Sequence, residues 1–104
     1  MRKTLLVMLS FGVVSIAFAA DTTVTQSHTT FDVDEVNIKA GETVTFANKD
    51  DVIHNIQVVN SDGDVDDKGL QKPGVNIKAT FSHSGTYKIR CAIHPKMKMT
   101  VTAQ

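Results

Sequence analysis

Residues 91–99 read Cys-Ala-Ile-His-Pro-Lys-Met-Lys-Met and place one thiol, one imidazole and two thioethers within a short run. Cys91 is the only cysteine of the chain, and the other two methionines lie among the first eight residues. A lone cysteine in an oxidising compartment forms a dimer, lies inert in the core or binds a metal. The imidazole and thioether groups clustered near Cys91 favour the third role, in which Cys91 binds a metal.

The segments around this stretch alternate apolar and polar residues, as half-buried strands do. Cys91 shares the inward phase of Ile89, and His54 shares that of Ile56, so both side chains are expected at one end of a common core. About seven short strands, separated by polar turns and without a sustained helical period, predict an all-β, Greek-key sandwich. Residues 60–74 lack periodicity and contain several Gly, Ser and Pro residues, which predicts one long loop.

Residues 1–19 have the composition of a secretory signal peptide. Arg2 and Lys3 precede an apolar run over residues 5–18, and Ala19 offers the small residue at which cleavage is expected. The run is shorter than the roughly 20 residues of a membrane-spanning helix, which argues against an anchor. We therefore expect one domain at residues 20–104, located in the periplasm, with no membrane attachment after cleavage.

The charge of the chain excludes a basic surface for nucleic acid. Lys plus Arg and Asp plus Glu both number 11, and loss of Arg2 and Lys3 leaves the domain slightly acidic. The acidic run at residues 62–67 lacks the sixth-position glycine and the final glutamate of a calcium loop, so it is interpreted as a solvated acidic loop. His28 and His83 lie next to Ser or Thr in turns and are interpreted as surface residues.

A thiolate, two imidazoles and one thioether together suit copper. Two histidines and a cysteine with a weak axial methionine serve both Cu(I) and Cu(II), so little has to move when an electron is gained or lost. The sequence offers His54, Cys91, His94 and Met97 for one such ion. Cys-His nucleophilic catalysis needs an open substrate pocket, and nothing in so short a domain indicates one, so an enzyme is not expected.

These motifs resemble the small blue copper proteins, the cupredoxins, and among them the amicyanins. The resemblance rests on His54-Asn55, on the terminal Cys-x-x-His-x-x-Met loop at residues 91–97, and on segments 38–46 and 81–87. It covers nearly all of residues 20–104. Ile53 and Ile93 depart from it, because prolines often stand there in the family.

The axial ligand is ambiguous. The amicyanin loop length selects Met97, whereas the longer plastocyanin and pseudoazurin loop selects Met99. Pro95 directly after His94 matches the shorter loop, and Met99 falls in the core-facing phase of the last strand. Met97 is therefore preferred.

The resemblance implies a periplasmic one-electron carrier, expected to be monomeric, between redox proteins such as an amine dehydrogenase and a cytochrome c. It also implies that Asn55 ties its strand to the loop after Cys91, and that His94 is the electron port. We expect an apolar rim at Ile53, Ile93 and Pro95 and positive charge at Lys96 and Lys98, suited to an acidic partner. The alternatives are copper trafficking or storage with the same ligands, and a structural sandwich with an incidental thiol.

Overall fold

The computed structural model describes residues 22–104, which form nine β-strands in two sheets and no helix. The strands are β1 (Thr22–Ser27), β2 (Thr30–Phe31), β3 (Glu35–Ile38), β4 (Thr43–Asn48), β5 (His54–Val59), β6 (Val65–Gln71), β7 (Asn76–Thr80), β8 (Gly85–Arg90) and β9 (Lys98–Ala103). One sheet has the order β2-β1-β4-β7 and the other β3-β9-β8-β5-β6. The predicted all-β sandwich is confirmed, with nine strands in the described part instead of about seven.

The predicted signal peptide at residues 1–19 lies outside the described residues. Across residues 22–104, no helix has both the length and the apolar character that a membrane span requires.

The core between the sheets consists of the inward-facing residues of the strands, in which buried and more exposed positions alternate. Val24, Val44, Phe46, Ile56 and Ile89 are all fully buried. In β9 the buried positions recur at every second residue, as strand geometry requires. Burial of these side chains is the main favourable term in folding, at about 25 cal/mol for each Å² of apolar surface.

Antiparallel pairing brings the ends of four strands together at one end of the sandwich. β5 begins where β6 and β8 end, and β9 begins opposite the end of β8. His54 starts β5, Gln71 ends β6 beside it, and Cys91 directly follows β8. This geometry places the residues of the terminal loop next to a strand about forty residues earlier in the chain.

The prediction of one loop over residues 60–74 is wrong, because β6 lies within it. β6 is an edge strand whose residues are all exposed except Gln71, so it has no inward and outward alternation. Its pairing with β5 shifts register between Asn55 and Gln57, and Gly69 has a φ of 95° at that irregularity. A glycine in the left-handed region is typical of a β-bulge. Hydrogen bonds to β5, which a sequence pattern does not display, hold this strand in place.

A buried amide pair joins the two sheets near the end where His54 lies. Gln26 in β1 donates from Nε2 to Gln71 Oε1 at 2.8 Å, and both side chains are fully buried. Gln71 Nε2 donates to the carbonyl oxygens of Phe46 and Val75, both at 2.9 Å. Gln26 Oε1 is the one buried side-chain polar atom of residues 22–104 without a partner. Gln71 is therefore the central member of the pair and Gln26 the peripheral one.

Replacing these two glutamines should have unequal effects on stability. Gln71→Met removes three hydrogen bonds and leaves Gln26 Nε2 and the Phe46 carbonyl without their side-chain partner, whereas the Val75 carbonyl keeps the Asn48 N–H as a donor. We expect a loss of about 3 kcal/mol of unfolding free energy. Gln26→Met removes one hydrogen bond and leaves Gln71 Oε1 unpaired, but it also removes an unpaired buried oxygen, so we expect a smaller loss of about 1 kcal/mol. Urea unfolding of both variants measures the difference, with Gln104→Leu as an exposed control. Equal losses would contradict this ranking.

Candidate metal centre

Three of the four residues predicted as metal ligands come together at this end of the sandwich. One ligand atom from each of His54, Cys91 and His94 lies within 4.8 Å of the others. The Nδ1 atoms of His54 and His94 are 3.1 Å apart, and Cys91 Sγ is 3.6 Å from His94 Nδ1. The two rings meet edge to face, with centroids 4.9 Å apart. The predicted convergence of His54 on the terminal loop is confirmed.

This donor arrangement fits one bound metal ion. Two neutral imidazoles repel when their Nδ1 lone pairs face each other at 3.1 Å, unless a proton or a cation lies between them. Two nitrogens that bind a single ion at about 2.0 Å each are separated by about 3 Å. The soft thiol of Cys91 beside two imidazoles favours a copper ion over a hard cation such as magnesium.

Burial divides the donors into an inner and an outer group. His54 is fully buried and Cys91 is only 1% exposed, whereas His94 is half-buried. A ring at the surface is the natural contact point for a partner, and buried donors keep water away from the metal. The outer position of His94 agrees with the role that the sequence suggested for it.

Asp50 sets the orientation of the His54 ring. Its Oδ2 lies 3.0 Å from His54 Nε2, and its side chain is 11% exposed. The pKa of Asp50 is lowered to about 2, chiefly because the backbone N–H of Thr29 donates to it, while partial burial opposes the shift. Asp50 is therefore ionised at neutral pH and accepts a hydrogen bond from the Nε2–H of His54. The His54 ring then presents its Nδ1 lone pair to the metal, as carboxylate-bound histidines do in metal sites.

The turn before β5 holds Asp50 in place. Asn48 Oδ1 accepts from the Asp50 backbone N–H at 2.9 Å, and Asn48 Nδ2 donates to the carbonyl oxygens of Val52 and Gln71. The sequence analysis did not identify a role for Asp50. Its position four residues before His54 was the available signal, but a carboxylate in a turn is common.

The backbone of the terminal loop distinguishes the two methionines. The Cys91 N–H donates to the Met97 carbonyl at 3.2 Å, and the Met97 N–H donates to the His94 carbonyl at 2.8 Å. The β8–β9 register pairs Arg90 with Lys98 and Ile89 with Met99. Met97 therefore lies opposite Cys91 at the metal end, and Met99 lies two residues further into the sheet. Both are buried, at 2% and 4% exposure.

Other predicted features around the loop are also present. Asn55 Oδ1 accepts from the Ala92 N–H at 3.0 Å, so Asn55 does tie its strand to the loop after Cys91. Ile53 and Ile93 are 41% and 47% exposed, as an apolar rim requires. Leu70, the most exposed large apolar residue described, lies opposite Asn55 in β6 and was missed with that strand.

The remaining predicted residues of the loop and of the turns lie at the surface. Pro95, Lys96 and Lys98 are exposed. His28 and His83 are exposed too and lie outside the cluster of donors, in agreement with their interpretation as surface residues.

Comparisons with known proteins identify the family. The model of the copper-binding proteins of the plastocyanin/azurin family matches residues 18–104. A methylamine utilization protein MauL from Methylorubrum extorquens is 29% identical over 102 residues, covering 95% of this chain and 90% of the relative. Amicyanin from Paracoccus denitrificans is 32% identical over 76 residues, which are 71% of this chain and 58% of amicyanin.

A solved structure gives the same result. Amicyanin from Paracoccus versutus superposes with a TM-score of 0.75 at 27% identity, covering 85% of each chain. The fold, the cluster of His54, Cys91 and His94, and these relatives agree, so the chain belongs to the plastocyanin/azurin family of copper-binding proteins, the cupredoxins, and its cofactor is one copper ion.

Proposed function

We propose that this blue copper electron carrier works in the periplasm, where it passes single electrons between a donor and an acceptor protein. In the proposed site, His54, Cys91 and His94 bind the copper, and Met97 is the weak axial ligand. Bound copper supplies the chemistry by cycling between Cu(II) and Cu(I). The observation that carries the proposal is the cluster of three donor atoms within 4.8 Å, with only His94 near the surface.

The scaffold supports electron transfer better than metal delivery. His54 and Cys91 are at most 1% exposed, so an incoming chelator or chaperone does not reach them without opening of the loop. A carrier benefits from such burial, because fixed donors change little between the two oxidation states. Trafficking or storage, the alternative from the sequence, requires easier access to the same ligands.

The proposed partners are redox proteins that dock over His94. Exposed Ile53, Ile93 and Leu70 provide apolar contact area around the loop, and Lys96 and Lys98 provide positive charge. The relative named for methylamine utilization supports an amine dehydrogenase as donor. The proposed acceptor is a cytochrome c. We also propose that the chain is a monomer, that residues 1–19 direct it to the periplasm, and that it catalyses no reaction of its own.

A visible spectrum and a voltammogram test the proposed function together. The copper-loaded protein should be intensely coloured through thiolate-to-Cu(II) charge transfer and should show a reversible one-electron couple. Cys91→Ser should lose the visible band, and His83→Ala, at an exposed turn, should keep it. A colourless loaded protein, or a band that survives Cys91→Ser, would refute the site. Rapid loss of Cu(I) to a chelator without a reversible couple would favour trafficking.

Exchange of each methionine for leucine tests the axial assignment. Met97→Leu should change the electron-spin spectrum and raise the reduction potential, because loss of a weak donor to Cu(II) favours Cu(I). Met99→Leu should leave both unchanged and alter the unfolding free energy by less than about 1.5 kcal/mol, since the two side chains have similar volumes. The reverse result, a changed spectrum for Met99→Leu alone, would transfer the axial role to Met99.

Removal of the Asp50 carboxylate tests whether this group orients the His54 ring. Asp50→Ala frees the ring to rotate and to protonate at either nitrogen, and we expect copper affinity to fall by about 10- to 100-fold. Competition titration against a copper chelator measures this, with Asp62→Ala as a control that removes an exposed carboxylate elsewhere. Equal affinities for the two variants would mean that Asp50 does not position the ligand.

A further inference from the structure

A chain of hydrogen bonds on the outer face of the five-stranded sheet connects the edge strand β6 with both neighbours of Cys91. Asp67 of β6 lies at one end of this chain, and Arg90 and Ala92 lie at the other. Asn55 and Gln57 of β5, the strand between β6 and β8, connect the two ends. None of these five residues is among the proposed metal ligands.

Asp67 receives hydrogen bonds on both carboxylate oxygens. Oδ1 accepts from Asn55 Nδ2 at 2.9 Å and from the Gly69 N–H at 2.7 Å, and Oδ2 accepts from Gln57 Nε2 at 3.0 Å. The pKa of Asp67 is lowered, mostly by the bond from Gln57 and then by those from Gly69 and Asn55. All three partners are donors, and only an ionised carboxylate offers acceptors at both oxygens.

This arrangement fixes the orientation of two side-chain amides. Because Asp67 accepts from the NH₂ groups of Asn55 and Gln57, and the Gly69 carbonyl also accepts from that of Asn55 at 3.1 Å, the amide oxygens of both residues are available to other donors. Asn55 Oδ1 accepts from the Ala92 N–H at 3.0 Å, and Gln57 Oε1 accepts from Arg90 Nε at 2.9 Å. An amide that is free to flip would present its NH₂ group to these donors half of the time, and the bonds would be lost.

We propose that Asp67 is a positioning residue for the Cys91 thiol, acting through Asn55 and Gln57 on the residues immediately before and after it. The inference rests on the proposed function in that Cys91 is taken as the copper ligand. Cys91 follows the last residue of β8, where the ladder with β5 has ended at Gln57 and Arg90. With both flanking residues held, the direction of the Cα–Cβ bond is fixed, and with it the overlap between the sulfur and the metal.

The variant Asp67→Leu tests this inference, because it keeps a side chain of similar shape and removes both acceptor oxygens. Gln57 then loses the partner of its NH₂ group, and Asn55 keeps only the Gly69 carbonyl, so both amides are held less firmly. We expect the variant to bind one copper ion but to show a changed intensity ratio of the visible bands and a changed electron-spin spectrum. In the metal-free protein, hydrogen exchange at the Ala92 N–H should accelerate by about tenfold, as expected for loss of one net hydrogen bond.

Two further variants make the test specific. Asp66→Leu makes the same change at the neighbouring carboxylate, whose side chain is 63% exposed and forms an ion pair with Lys68, and it should alter neither readout. Gln57→Leu releases Arg90 but keeps the Asn55–Ala92 bond, so it should change the spectrum less than Asp67→Leu does. A merely structural Asp67 would lower the unfolding free energy without moving the spectra.

The outcomes separate this inference from the proposed function. Unchanged spectra and unchanged Ala92 exchange in folded Asp67→Leu would overturn the positioning role. If the unaltered protein lacks the thiolate band, the proposed function fails, yet the exchange measurement in the metal-free chain still reports whether Asp67 holds the segment. Faster exchange with unaltered copper spectra would also overturn the proposal, because the segment would then move without consequence for the thiolate.

Discussion

The imidazoles of His54 and His94 lie with their Nδ1 atoms 3.1 Å apart, and the surrounding strands and loops have to hold both rings in these positions. A proton on one Nδ1 atom or a bound cation has to lie between two nitrogens at that distance, so the backbone must hold both rings where a single ion can take the place of that proton. His54 is held by the start of β5 and by Asp50, and His94 by the short loop between β8 and β9. An electron carrier benefits from donors that the fold holds in advance, because little then has to move between the two oxidation states.

Polar contacts, more than the apolar core, determine the geometry at this end of the sandwich. The core residues between the sheets provide most of the stability, but apolar packing does not select one orientation of an imidazole or an amide. Hydrogen bonds of Asn48, Gln71 and Asp50 select the orientation beside His54. A hydrogen bond of Asn55 does the same for the loop beside Cys91. Each bond contributes only about 1 kcal/mol net, yet each buried polar group that loses its partner costs more. The network is therefore stable only when nearly all of it is in place.

The sequence predicted the parts of this arrangement that local pattern determines. The inward phase of Cys91 and His54 follows from strand periodicity, the spacing from Cys91 to Met97 is a property of the loop sequence, and the structure brings His54, Cys91 and His94 together. Strand β6 was missed because an exposed edge strand has no alternation. Asp50 was missed although His54 is only four positions away, because a carboxylate in a turn is common. Its other partner, Thr29, lies 21 positions away, and Asn55 lies 12 positions from Asp67. Side-chain contacts of that kind depend on tertiary structure and leave no periodic signal.

The turn between β1 and β2 shows how far the support of the metal site extends. His28 and Thr29 have φ angles of 53° and 54°, a left-handed conformation that a β-branched residue such as threonine rarely adopts. Such residues cost about 1–3 kcal/mol each and persist where the surrounding structure imposes them. In this position the Thr29 N–H donates to Asp50 Oδ2 at 2.8 Å, the same oxygen that meets His54 Nε2. Glycine at position 29 would relieve the strain and keep the N–H donor, but it would also let the turn move away from Asp50. The strained conformation is therefore best understood as part of the support for His54, with its cost offset by the stability of the sandwich.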